Sequence, residues 1–236
     1  MSASPSAIEL VMLDCDGVII DSEYLATLVE SERYTAWGHA ISPEDVSRRY
    51  AGLAEEEIAR RVEAETERTL PPNWAADMKT AVVERIAAEC ELIEGAHAMI
   101  AALPHPVCVC SNSAMDTLRR TLGRVGLWDT LGPHTYSARD LGVERMKPEP
   151  DVYLTAARAF GIDPRRAVVV EDSVHGVAGG VAAGARVIGF TGGRHTYPGH
   201  GEALSDAGAT TVVSRHADVL RTIAALNEWD ERTFVR

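Results

Sequence analysis

The chain has 236 residues, 23 of them Lys or Arg and 35 Asp or Glu, for a net charge of −12. With 46% hydrophobic and 25% charged residues it has the balance of one large globular domain, or of a core domain with an insert, and not that of a disordered or fibrous chain. Its acidity argues against nucleic acid and anionic membrane as partners, because both are gripped through clustered Lys and Arg; an anionic substrate would need a local cation to offset the field.

No apolar run reaches the roughly 18 residues of a membrane span. Met1–Ala7 lacks the basic and apolar parts of a signal peptide, so the expected location is the cytoplasm and the expected state a monomer. Cys15, Cys90, Cys108 and Cys110 lack the CxxC spacing of zinc or redox sites and read as buried free thiols.

In chain order, Ile8–Leu13 is a short apolar run ending at Asp14, the pattern of a strand covered on both faces. Comparable runs follow at Val107–Cys110, Ala167–Val170, Val187–Phe190 and Thr211–Val213. Most are separated by lengths that suit helices, which indicates an α/β fold built on a parallel sheet. The interval between the first two runs is much longer than one crossover and carries helical spacing. Ser42-Pro43-Glu44-Asp45 reads as an N-cap, a proline at the first helical position and acids in the first turn. Helices are expected over Ala54–Arg68 and Trp74–Cys90, parted by Leu70-Pro71-Pro72-Asn73, where two prolines forbid continuation. The expected organisation is therefore a core of residues 1–21 and 92–236 with a helical lid, residues 22–91, inserted after the first strand. Ser113–Val125, Asp151–Phe160 and Val174–Ala183 supply crossover helices to the sheet. Trp37, Trp74, Trp128 and Trp229 read as core or hinge fillers.

Four short features lie at or beyond strand ends, or in the loops between strands, where an open α/β sheet places its ligand crevice. In Asp14-Cys15-Asp16-Gly17 the carboxylates at i and i+2 share one side of an extended chain; a solvated strand end or an Asx turn is the alternative. Ser111-Asn112 offers a hydroxyl and an amide suited to a phosphate oxygen, or an ordinary N-cap. The surrounding CSNSA lacks the G-x-S-x-G elbow of a serine hydrolase. Lys147, ahead of Pro148 and Pro150, is held by restricted backbone and can neutralise a phosphate, or simply be solvated. Glu171-Asp172 places adjacent acids at a buried strand end, which repel unless a cation or hydrogen bonds compensate; a solvated strand end is the alternative. Mg²⁺ fits such oxygen donors, through Asp14, Asp172, Glu171 and a main-chain carbonyl, and no Cys/His cluster suggests zinc.

In this order, with a helical insert after the first, these motifs resemble the haloacid dehalogenase superfamily of phosphotransferases from Ile8 to about Val213. DCDGVIIDSE and VVVEDSVHGV are similar to its branch of sugar-phosphate phosphatases and beta-phosphoglucomutases. The resemblance implies a Rossmann-like core with a cap, Asp14 as a nucleophile that becomes phosphorylated, and Asp16 as general acid and base whose carbonyl binds Mg²⁺. It implies that Ser111, Asn112 and Lys147 hold the phosphoryl oxygens and that Glu171 and Asp172 complete or orient the metal shell. Asp16 stands where the family's dehalogenases lack an aspartate, and nothing around Lys79 forms the motif of the phosphonate-cleaving branch. The mutases carry a histidine ten residues after the second aspartate, where this chain has Ala26, and an arginine near Gly52-Leu53-Ala54-Glu55, where the place falls to Glu55. Glu91–Ser113 is similar to bacterial 6-phosphogluconate phosphatases. The expected activity is therefore hydrolysis of a small sugar or sugar-acid phosphate, with the mutase and a noncatalytic binding module as alternatives. Glu23 would stabilise a first helical turn or bear on lid closure, His175 would sit on a helix surface or pack, and Gly192–Gly201 would form a loop, with Arg194 or His195 touching substrate from the rim.

Overall fold

Apolar residues on alternate sides of the strands form two separate clusters. Val11, Leu13, Val109, Val168, Val170, Ile188 and Phe190 belong to one, and Leu10, Met12, Cys108, Cys110, Val169 and Val187 to the other. The sheet is covered on both faces, which is why its strands read as continuous apolar runs instead of alternating ones. Each such side chain fully buried contributes roughly 1.5–3 kcal/mol. The structure, a computed structural model, describes residues 8–50, 53 and 55–228. Met1–Ala7, Gly52, Ala54 and Trp229, named above, lie outside them, as does the Glu55 side chain.

The strands are β1 (Leu10–Leu13), β2 (Val107–Ser111), β3 (Thr135–Ser137), β4 (Ala167–Glu171), β5 (Arg186–Phe190) and β6 (Thr211–Val213). They pair in parallel in the order β3-β2-β1-β4-β5-β6. The chain runs outward from β1 through β2 to β3, then returns to β1's other side and runs outward again. The crevice at this reversal, over the carboxyl ends of β1, β2 and β4, is where open sheets bind ligands. Five of the six strands coincide with the predicted runs. β3 was not predicted: three residues between short helices are too few to show a period.

The helices are α1 (Ser22–Trp37), α2 (Pro43–Tyr50), α3 (Glu55–Thr66), α4 (Trp74–Glu89), α5 (Ala96–Ala102), α6 (Met115–Arg124), α7 (Trp128–Leu131), α8 (Ala138–Leu141), α9 (Asp151–Phe160), α10 (Val174–Ala182), α11 (His200–Asp206) and α12 (His216–Glu228). Among the described residues none is long and apolar enough to cross a membrane. Ser42 caps α2 as its sequence suggests: its hydroxyl accepts the Asp45 amide at 3.1 Å and donates to the Asp45 carboxylate at 3.0 Å. The four cysteines are buried and free. Trp37 and Trp74 pack against the α1–α4 cluster and Trp128 against one face of the sheet.

Helices α1–α4 enclose a cluster of their own around Val29, Tyr34, Val46, Tyr50, Val62 and Met78. The chain leaves the sheet and returns to it side by side: Ile20 bridges Leu92 in antiparallel sense, Ile93 donates to the Ile19 carbonyl at 3.0 Å, and Asp21 donates to Glu91 at 3.0 Å. His216, 2% exposed at the start of α12, fastens this crossing. Its ring nitrogens lie 2.9 Å from the carbonyl oxygens of Val18 and Glu94, one on each passing segment. Replacing His216 with Ala is expected to destabilise the fold by about 1–3 kcal/mol, read as a lower urea midpoint at unchanged m-value.

Candidate active site

Three strand ends deliver the site. Asp14 directly follows β1, Ser111 closes β2 and Glu171 closes β4. Lys147 comes from the loop before α9 and is 7% exposed. Its ammonium donates to Asp14 Oδ1 at 2.5 Å, to Glu171 Oε1 at 2.6 Å and to the Cys110 carbonyl at 2.6 Å. An ammonium has three protons, so these contacts account for all of them. Burial alone would lower the Lys147 pKa, but the neighbouring Asp14 and Glu171 carboxylates outweigh it and raise it well above the ordinary lysine value. Asn112 clamps the lysine's main chain, accepting the Lys147 amide through Oδ1 at 2.9 Å and donating to its carbonyl at 3.4 Å.

Glu171 is fully engaged. Oε1 takes Lys147 and the Tyr153 hydroxyl at 3.0 Å, while Oε2 takes the Ser173 amide at 3.0 Å and hydroxyl at 2.9 Å. Room for this carboxylate exists because residue 176 is glycine: a Cβ there would sit 1.9 Å from the Glu171 carboxyl. Asp172 meets His195 Nε2 through Oδ2 at 2.9 Å, and its main-chain oxygen meets His200 Nε2 at 2.7 Å. Gly17, at φ +75°, lets the chain turn under Asp172; a Cβ would lie 1.8 Å from Oδ2.

Asp14, Glu171 and Asp172 each present an oxygen within 4.8 Å of the others, and all three are buried. Against these three carboxylates the same cluster offers one ammonium. Burial lifts the Asp14 carboxyl well above the ordinary range; Lys147 pulls it down, and Glu171 and Asp172 add to the rise. Asp172 is lifted likewise, by burial first and Glu171 second. The donor set, all hard oxygen with excess negative charge, fits a divalent cation.

Asp16 projects differently, into a ring of hydroxyls. Ser22 donates to Oδ1 at 2.7 Å, and Ser113 and Ser111 donate to Oδ2 at 2.7 and 3.3 Å. Asp14, Asp16, Ser111, Asn112, Lys147 and Asp172 all line one cavity of about 830 Å³, with Ala26 from α1 on its wall. Glu171 lies behind it, at 0% exposure. Six of the seven predicted residues thus line one cavity, and the seventh, Glu171, reaches it through Lys147.

Several lining or supporting groups escaped prediction. Ser113 stands two residues past Ser111 and was assigned to a helix, but α6 starts only at Met115, leaving its side chain free to reach Asp16. Ser22 sits at the first position of α1. Tyr153 carries no local motif. His175, exposed on the surface of α10 as expected, also lines the cavity. The glycine-rich loop folds back over the site: His195 reaches Asp172, while Arg194 forms an ion pair with Asp21 and stacks 4.1 Å over Tyr24. Its last two predicted residues, His200 and Gly201, begin α11. Burial lowers the His195 pKa, against the opposing pull of the Glu23 and Asp21 charges.

Glu23 opens onto the cavity from α1. The surrounding walls, then the charges of Asp172 and Asp16, raise its carboxyl from an ordinary 4.5 to about 8. Between those values the native protein retains a proton that the unfolded chain has released, so this group lowers stability progressively as pH climbs through that window. In metal-free protein the melting-temperature advantage of Glu23→Gln over the wild type is expected to grow from about pH 5 to about pH 8.5. A difference independent of pH would contradict the shift.

Residues 8–184 match the family of haloacid dehalogenase-like hydrolases. The chain is 32% identical over 194 residues to the 6-phosphogluconate phosphatase of Escherichia coli K12, covering 82% of this chain and 87% of that one. The structure superposes with TM-score 0.89 on a conserved haloacid dehalogenase-like protein from Agrobacterium tumefaciens C58, at 44% identity and covering 93% and 99% of the two chains. It also superposes on a haloacid dehalogenase family hydrolase from Deinococcus radiodurans R1 with bound phosphate and sodium, with TM-score 0.83, 30% identity and coverage of 94% and 97%.

Proposed function

The chain belongs to the haloacid dehalogenase-like hydrolase family, and we propose that within it the protein is a Mg²⁺-dependent phosphatase acting on a small sugar or sugar-acid phosphate through a phosphorylated Asp14. The observation that carries this reading is the convergence of Asp14, Asp16, Ser111 and Lys147 on one cavity at the sheet's topological reversal. The relatives named for phosphatase activity and the phosphate held by a structural neighbour support it.

In this reading Asp14, Asp172 and the main-chain oxygen of Asp16 hold the metal, and Glu171, already committed to Lys147, Tyr153 and Ser173, orients the shell. The cation, when bound, screens the phosphate's negative charge from the attacking carboxylate. Lys147 fixes the rotamer of Asp14 through its short contact to Oδ1 and offsets charge beside it. An Asp14 oxygen forms the new bond to phosphorus as the ester P–O bond breaks. Asp16 donates a proton to the departing sugar oxygen, then accepts one from the water that attacks phosphorus and frees Asp14 and inorganic phosphate. The hydroxyls of Ser22, Ser111 and Ser113 hold Asp16 where both transfers require it. The main-chain amide of Asn112 receives a phosphoryl oxygen directly, while Ser111 and Lys147 do so by exchanging a present contact, Ser111 its long bond to Asp16 and Lys147 one of its three acceptors.

Residues 22–91 act as a lid over residues 1–21 and 92–236, turning on the paired segments near Ile20 and Leu92 and excluding bulk water during transfer. Transfer to water, and not to a second sugar hydroxyl, is favoured by Ala26, whose methyl lines the cavity where the mutases carry a histidine. Retention of Asp14, Asp16, Lys147 and Asp172 argues against a noncatalytic module.

Phosphate release from a panel of sugar phosphates tests the proposal. Asp14→Asn is expected to abolish turnover, and Asp16→Asn to lower kcat by about 10²–10⁴-fold; full activity in Asp14→Asn would sink the nucleophile assignment. A second measurement addresses the cation without turnover. Because burial and mutual repulsion raise Asp14 and Asp172, Mg²⁺ binding should displace protons and raise Tm. Titration calorimetry in buffers of different ionisation enthalpy reads the proton release; Mg²⁺ that changes neither would overturn the metal assignment.

A further inference from the structure

The chain contains 21 arginines and only two lysines, Lys79 and Lys147. Both lysines line the same 830 Å³ cavity. Lys147 is spent on Asp14, Glu171 and a carbonyl. Lys79, on α4, is exposed and forms no ion pair among the described residues; the same holds for Arg139 on α8, which lines the cavity from the sheet side. Elsewhere on the helical insert several cations are neutralised by acids, Arg48 by Asp45, Arg49 by Glu65, Arg61 by Glu57 and Arg85 by Glu32 and Glu89, while Arg68 stacks on Trp37. In a chain of net charge −12, two cations without an ion pair line one cavity, Lys79 from α4 and Arg139 from α8.

Their position is informative. A second cavity of about 400 Å³, walled by Tyr34, Trp74 and Met78 with Glu30 and Glu63 also on its lining, shares Lys79, Arg139, Val82 and Val83 with the first. The pair therefore stands where the two spaces meet, while Asp14, Asp16 and Asp172 lie at the strand ends. A ligand anchored by its phosphate at Asp14 and extending toward the insert would bring its far end to these two cations.

We propose that Lys79 and Arg139 form a second anion subsite, so that the substrate class is a small phosphate monoester carrying another anionic group at the end remote from the reacting phosphate. The proposal rests on the phosphatase reading above. A carboxylate and a second phosphate share the required chemistry. Arg139 can pair with either through two parallel N–H donors, and Lys79 adds a compact charge.

Three probes distinguish the possibilities: 6-phosphogluconate, fructose 1,6-bisphosphate and the neutral-ended glucitol 6-phosphate. The quantity read is the ratio of kcat/KM for each anion-ended probe to that for the neutral one. Lys79→Gln and Arg139→Gln are each expected to lower this ratio about 10-fold or more, mainly through KM. Lys79→Arg should retain most of it. The probe whose ratio falls identifies the anion as carboxylate or phosphate. A ratio unchanged within about twofold for both probes in both Gln variants overturns the subsite while leaving the phosphatase reading intact.

Failure of wild-type protein to release phosphate from any probe would instead count against that reading. The subsite is then decided by chemical protection. Lys147 is buried, so acetylation by acetic anhydride, followed by peptide mass spectrometry, reports on Lys79. Protection by an anion-ended probe and not by glucitol 6-phosphate supports the subsite; equal protection by all three, or none, overturns it.

Discussion

One buried ammonium organises the centre of this molecule. Lys147 joins the end of β1 through Asp14, the end of β4 through Glu171 and the end of β2 through the Cys110 carbonyl. A charge this deeply buried is tolerable only if paired and hydrogen-bonded, and each of its three protons has an acceptor. The dependence is mutual. Glu171, at 0% exposure, and Asp14, at 6%, would lose their shared cationic partner without it. Removing the lysine would leave crowded carboxylates at the point where the sheet's strand order reverses. A planar guanidinium would not serve as well, since its donors lie in one plane whereas these three acceptors come from three different strands.

The surroundings convert this pairing into a defined geometry. Asn112 fixes the lysine's main chain, Tyr153 and Ser173 hold the far side of Glu171, and glycine at 176 leaves the space that the Glu171 carboxylate fills. Asp16 accepts hydrogen bonds from three serine hydroxyls, while its charge still acts on Asp14 and Asp172. Two aspartates two residues apart thus have different hydrogen-bond partners: one is held by an ammonium, the other by hydroxyls. That contrast matches the different tasks assigned to them, nucleophile for Asp14 and proton carrier for Asp16.

Much of this was legible in the sequence because the features at strand ends are local. A buried parallel strand is an uninterrupted apolar run, so its end is marked by the first acid or hydroxyl, and Asp14, Ser111, Glu171 and Asp172 were found that way. The double proline likewise marked the gap before α4. What escaped depends on contacts distant in sequence. Tyr153 meets Glu171 from 18 residues away, and Ser113 meets Asp16 from 97. Neither has a neighbouring pattern that would announce it. His195 lies in a loop whose glycines predict freedom, and only its return over Asp172 gives the ring a partner. β3 is set by pairing with β2, through Val109, Cys110 and Ser111, more than by its own three residues.

The distribution of cation types follows from the same physics. On the surface of the insert, arginine side chains lie beside acids three or four residues away on the same helix, as Arg48 does with Asp45 and Arg61 with Glu57. Such exposed pairs are worth little individually, but each cancels a positive charge locally. The two lysines do the opposite. Lys147 is enclosed by acceptors, and Lys79 is left open at the rim of the space those acceptors face. An acidic protein that handles an anion must concentrate positive potential where the ligand sits and cancel it elsewhere, because the low-dielectric walls of a cavity strengthen a local charge that bulk water would screen on the surface.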